Sequence, residues 1–170
     1  MVALLLILFG VVLRVFPHPA NVAPIAALAL FGGVYLKPRY AFFVPLGAVV
    51  LSDIAIGFDS LASRAMVYGA FMLVSLIGLA VRKRKNAVTV VLGSIGGSLT
   101  FYLVTNFAYF YPLSMYPHTL AGVSSSYYNA LPFFRYTLLG DLFYVGVLFG
   151  LYELALYMGK SKTRPAPAIQ

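Results

Sequence analysis

Residues 65–108 read AMVYGAFMLVSLIGLAVRKRKNAVTVVLGSIGGSLTFYLVTNFA: apolar runs of 17 and 22 residues parted by Arg82, Lys83, Arg84 and Lys85. A bilayer-spanning helix needs about 20 apolar residues, and clusters of Lys and Arg between such helices mark the cytoplasmic side. The stretch therefore predicts two antiparallel membrane helices joined by a cytoplasmic basic turn. Working outward, Pro, Gly and charge clusters punctuate four more apolar stretches, at about residues 1–16, 22–36, 40–58 and 136–158. The second is short. At about 1.5 Å per residue it falls short of the hydrocarbon core, so it is expected to be tilted, partly re-entrant or sheltered by its neighbours.

Composition agrees with this reading. The 170 residues are 62% hydrophobic and only 9% charged, and the mean hydropathy is +0.93, whereas about a quarter of residues are charged in soluble domains. The predicted fold is an all-α integral membrane protein with six transmembrane helices in one domain, residues 1–159. Residues 160–170 form a disordered basic tail. Met1 to Phe16 lacks the basic start and small-residue cleavage site of a signal peptide and reads as the first span. There is no cysteine, which excludes disulfides and thiolate chemistry.

The net charge of +8 divides unevenly. Lys37, Arg39, Arg82, Lys83, Arg84, Lys85, Lys160, Lys162 and Arg164 all fall on one side of an alternating six-span arrangement, leaving Arg14, Arg64 and Arg135 on the other. The positive-inside rule then places both termini in the cytoplasm of a cell-membrane protein. The excess charge records orientation in the bilayer and calls for no nucleic-acid partner.

The opposite, outer side carries the chemistry. Ionisable groups inside spans are costly unless paired or facing a cavity, so each is a candidate site residue. Arg14 closes span one, Asp53 lies deep in span three, Asn106 closes span five, and Arg135 and Asp141 open span six. All five fall in the outer third, level with His18, Asn21 and His118. They make either a charge-balanced polar chamber or helix-pinning salt bridges, Arg14 with Asp53 and Arg135 with Asp141. About 27 residues, 109–135, connect spans five and six and are rich in tyrosine. This connection is expected to fold back over the mouth, with Tyr116, Tyr127 and Tyr128 stacking on a planar ligand. The alternative is an interfacial aromatic belt. His18 and His118 each follow a proline and read as metal, haem or corrin ligands or as hydrogen-bonding loop residues. Glu153, near the cytoplasmic end of span six, reads as a structural partner of Lys160. Gly93 and Gly97, Ser94 and Ser98, Gly146 and Gly150, and Ala23 and Ala27 form small-residue seams for helix packing. Ser124 to Ser126 lack flanking elbow glycines, no zinc-protease motif occurs, and no nucleotide loop occurs outside an apolar helix. The chain reads as a non-enzyme without a cofactor.

The segment Asn21-Val22-Ala23-Pro24-Ile25-Ala26-Ala27-Leu28-Ala29-Leu30-Phe31-Gly32-Gly33, Pro45, and Leu51-Ser52-Asp53-Ile54-Ala55-Ile56-Gly57 are similar to an uncharacterised family of bacterial membrane proteins. So are Thr105-Asn106-Phe107, Met115-Tyr116-Pro117-His118-Thr119, Leu131-Pro132-Phe133-Phe134-Arg135 and Gly140-Asp141. The architecture also resembles the substrate-binding S components of energy-coupling factor vitamin transporters: six spans, both ends cytoplasmic, a short second span and an outward chamber under loops. That resemblance implies uptake of a vitamin-like or other small heterocyclic solute, with an energy-coupling transmembrane subunit and its ATPases as partners. Such proteins commonly carry an Ala-x-x-x-Ala docking seam in their first helix, where span one here has only Ala3 and Gly10 as small residues. Some solitary relatives bind cobalamin and place a cysteine near the cobalt; here that role would fall to His18 or His118. The competing reading is a structural or assembly membrane protein held by ion pairs.

Overall fold

A computed structural model describes residues 1–17, 19 and 21–162, with side chains described through Gly159. The described residues hold six α-helices and no strand: α1 (Val2–Val15), α2 (Ile25–Tyr35), α3 (Pro38–Ile56), α4 (Leu61–Arg82), α5 (Ala87–Thr105) and α6 (Leu120–Lys162). A short 3₁₀ turn, Ala108–Phe110, lies between α5 and α6. The helices Pro38–Ile56, Leu61–Arg82 and Ala87–Thr105, and the segment Leu120–Gly159, are long and apolar enough to cross a membrane; α1 and α2 are apolar but shorter. Large apolar side chains such as Leu5, Phe43, Ile54, Leu92, Phe143 and Leu151 face outward, as lipid-facing positions do.

The short α2 is the axis of the bundle. Every residue from Ile25 to Val34 is buried, and α2 packs against all five other helices. A helix apolar on every side must be enclosed, so its neighbours supply the shelter that its length of about 16 Å requires. The α2–α4 contact is backbone on backbone. A Cβ added to Gly33 would lie 2.6 Å from the Gly78 Cα, and one added to Gly78 would lie 2.5 Å from the Leu30 carbonyl oxygen, so only glycine permits this approach. Leu36 and Lys37 are extended because Pro38 disfavours helical geometry before it, and Pro38 then opens α3 at its first position.

Inside α3, Pro45 has no N–H and leaves the Ala41 carbonyl without its helical donor. The Ser75 hydroxyl of α4 donates to that carbonyl at 2.8 Å. Between α4 and α5, the basic turn folds against the end of α2. The Arg82 guanidinium donates to the Val34 carbonyl at 3.0 Å and to the Leu36 carbonyl, placing a cation at the negative end of the α2 dipole. Asn86 and Thr89 form a capping box that starts α5.

The connection expected over residues 109–135 is instead largely helical. From Leu120 onward these residues are the first turns of α6, a 43-residue helix about 65 Å long, far more than the hydrocarbon core of about 30 Å. Thr119 initiates it: its Oγ1 accepts from the Gly122 amide at 3.2 Å. Gly122 is required here, because a Cβ would fall 1.8 Å from the Pro117 carbonyl oxygen. Pro132 is accommodated within the helix. The early part of α6 is strapped to α5, with the Tyr127 hydroxyl donating to the Leu103 carbonyl at 2.8 Å and the Tyr102 hydroxyl to the Tyr127 carbonyl at 2.7 Å. At its far end α6 continues to Lys162, into the stretch expected to be an unfolded tail; residues 163–170 lie outside the described residues.

A polar chamber at the end opposite the basic turn

Arg14, in the last turn of α1, is fixed against α3. Its Nη1 donates to the Val49 carbonyl at 3.2 Å and the Ser52 hydroxyl at 2.5 Å, and forms an ion pair with Asp53. The second carboxylate oxygen of Asp53 accepts from the Tyr68 hydroxyl of α4 at 2.5 Å. Three helices are thereby tied together with no net charge, the first of the two salt bridges anticipated from sequence.

The second does not form. Arg135 and Asp141 are six residues apart, which at about 100° per residue puts them about 120° apart around one helix. Arg135 is exposed and lies over the Tyr136 ring, 4.8 Å from its centroid. Asp141 is 4% exposed; it accepts from the Ser98 hydroxyl of α5 at 2.7 Å and has no cationic partner among the described residues. Beneath it Ser94, Gly97 and Asp141 border a crevice too narrow for water, and the buried Ser94 hydroxyl has no hydrogen-bond partner among the described residues.

Three cavities open in series above this floor. The deepest, about 240 Å³, is lined by Arg14, Asn21, Ile25, Val67, Phe71, Phe101, Thr137 and Asp141, among others. A second, about 280 Å³, shares Asn21, Val67, Phe101 and Thr137 with the first and reaches Asn106 and Tyr111. A third, about 210 Å³, shares Asn106, Tyr111, Ala130 and Phe133 with the second and ends at Tyr116 and Asn129. Ligand pockets span about 300–1,000 Å³, so each compartment alone is small and the joined series is of ligand size. The walls of the deepest are mostly apolar, with the Phe71 and Phe101 rings stacked at 5.0 Å between centroids, and those of the other two mix apolar and polar side chains. Asn21, at φ 63°, turns the chain from α1 into α2 beside the deepest cavity; asparagine tolerates this left-handed geometry better than most residues.

Of the residues singled out in the sequence, Arg14, Asn21, Asn106, Tyr116 and Asp141 line these cavities. Asp53 lies behind Arg14 and anchors it. His118 is a loop fastener: its Nε2 is 3.1 Å from the Tyr111 carbonyl and its ring stacks on Tyr109. Tyr127 straps α6 to α5, and Tyr128 is 73% exposed. The helical start of α6 explains these placements, since residues on a helix cannot all turn toward one mouth. His18 lies outside the described residues. The wall residues Phe71, Phe101 and Thr137 went unread. Thr137 had a signal, being four residues before Asp141 on the same helical face; the two phenylalanines had none to separate them from other apolar positions.

Two charge clusters lie outside the chamber. Between α3 and α4, Asp59 accepts from the Ser63 hydroxyl at 2.7 Å and the Ser60 amide at 2.9 Å, and these bonds, the Ser63 one foremost, hold its carboxyl below the ordinary aspartate range. At the opposite end Lys85 is 2.5 Å from Glu153, which also accepts from the Tyr35 hydroxyl. Glu153 thus takes Lys85 and Tyr35 as partners; the Lys160 side chain, its partner expected from sequence, lies outside the described residues. The hydrogen bond to Glu153 is the main influence raising the Lys85 pKa. Among the described residues no three His, Asp or Glu side chains come together as a metal site.

Comparison with curated proteins and with solved structures finds no match. The model of one family, described as a family of unknown function (DUF6580), matches residues 1–166. With nearly the whole chain covered, the protein belongs to the DUF6580 family.

Proposed function

We propose that this protein is a membrane substrate-binding or uptake protein of the S-component type, which takes a vitamin-like or other small heterocyclic solute into the chamber from outside the cell. Six spans with both termini cytoplasmic follow from the distribution of Lys and Arg, which sets the chamber at the outer end. The observation that carries the reading is the run of three adjoining cavities from Asp141 to Tyr116, the deepest with mainly apolar walls and a few polar groups, as small-molecule sites have, and the outer two lined by apolar and polar side chains together. An energy-coupling transmembrane subunit with ATPases would drive release inward. Extraction of the purified full-length protein followed by small-molecule mass spectrometry tests this: one solute should be enriched with wild type and lost with Thr137→Trp, which fills the junction of the two deeper cavities. Equal yields from both proteins would remove the chamber from the account.

The tie between Arg14, Asp53 and Tyr68 supports a second reading, a structural or assembly protein pinned by ion pairs. That reading predicts no enriched solute and unchanged behaviour of a well-folded Thr137→Trp protein.

A further inference from the structure

We infer that the solute taken by the chamber carries a cationic nitrogen, a protonated amine or a cationic heterocycle, bound by Asp141. The inference rests on the chamber being a ligand site and adds the charge of what it takes. Both charged side chains that line the deepest cavity are accounted for differently. Arg14 is already paired with Asp53 and bonded to Ser52 and the Val49 carbonyl, so it offers an incoming anion no unspent charge. Asp141 is 4% exposed, accepts only from Ser98 among the described residues, and has no cation beside it. A buried carboxylate needs a charged or donating partner, and a carboxylate within a span needs it more. Asp141 lines the deepest cavity, whose walls also include the stacked Phe71 and Phe101 rings, and aromatic faces attract cations.

Three ring compounds of one size and different charge test it: benzylammonium, benzyl alcohol and benzoate, titrated calorimetrically at pH 7 into the full-length protein in lipid nanodiscs. Benzylammonium should bind about tenfold tighter than either of the others, a difference of about 1.4 kcal/mol. Asp141→Asn should bring the three within about twofold, and Glu153→Gln, which removes a carboxylate at the far end of the bundle, should leave the ranking intact. Phe101→Leu should weaken benzylammonium more than benzyl alcohol, which keeps the test open should Asp141→Asn fail to fold. Benzoate or benzyl alcohol binding as tightly as benzylammonium, or a preference that survives Asp141→Asn, overturns the inference while leaving the chamber reading in place. Displacement of benzylammonium by sodium chloride but not by an equal concentration of N-methylglucamine chloride overturns it in favour of an inorganic cation. Failure of all three compounds to bind, with no solute enriched on extraction, overturns the inference and the chamber reading together.

Discussion

Replacing Ser75 with alanine removes the hydroxyl that donates to the Ala41 carbonyl at 2.8 Å across the α3–α4 contact. Ser75 and Ala41 are both 0% exposed, and Pro45 supplies no amide to take the hydroxyl's place. A buried carbonyl left without a donor costs about 1–3 kcal/mol. The second bond of the Ser75 hydroxyl, to the Phe71 carbonyl at 3.0 Å, adds little, because that carbonyl sits within α4 and has a helical donor. Ser75→Ala should therefore destabilise the protein by about 2 kcal/mol. Pro45→Ala restores a backbone donor to Ala41, so in that background the same substitution should cost about 0.5 kcal/mol, a coupling of about 1–2 kcal/mol. Unfolding by dodecyl sulfate in mixed micelles, followed by tyrosine fluorescence and circular dichroism, measures the four proteins of the cycle. Equal costs of Ser75→Ala in both backgrounds would refute the idea that the serine compensates for the proline.

Gly33→Ala and Gly78→Ala each place a Cβ within 2.6 Å of facing backbone and should each cost about 1–3 kcal/mol in the same assay; a neutral result for both would mean α2 and α4 are not in backbone contact. Arg14→Gln leaves Asp53 largely buried without its cation and should cost about 3–5 kcal/mol, whereas the double variant Arg14→Gln, Asp53→Asn should recover part of that loss; strict additivity would argue against the pair. The Asp59 pKa is depressed in the folded protein, so its contribution to stability is present above the ordinary aspartate value of 3.8 and is lost as pH falls through the folded value. Melting temperatures from pH 7 down to pH 3 should show wild type ahead of Asp59→Asn at neutral pH and the gap closing at the acid end. A gap independent of pH would mean the carboxylate makes no difference through its charge.

The helical class, the short second helix and the Arg14–Asp53 pair were legible because each rests on local chemistry: apolar length, a proline-bounded stretch and two ionisable groups at similar depth. The start of α6 was not. Residues 109–135 read as one long tyrosine-rich connection, yet from Leu120 they are helical: Ser124 and Ser126 turn their hydroxyls onto carbonyls of their own helix, and Gly122 serves a close approach to Pro117. Once that stretch is helical, angular position replaces depth as the rule, and Arg135, Tyr128 and Asp141 separate accordingly. The contact between Gly33 and Gly78 was invisible for another reason: α2 meets α4 across an intervening helix, a pairing that no local pattern encodes. The same holds for Phe71 and Phe101, which belong to different helices and become chamber walls only through packing.

Native mass spectrometry of the gently purified full-length protein tests the central claim most directly. The account predicts a population heavier than the bare chain by one small-molecule mass, present in wild type and absent from Thr137→Trp. A bare mass alone in wild type, or the same adduct on both proteins, would contradict it.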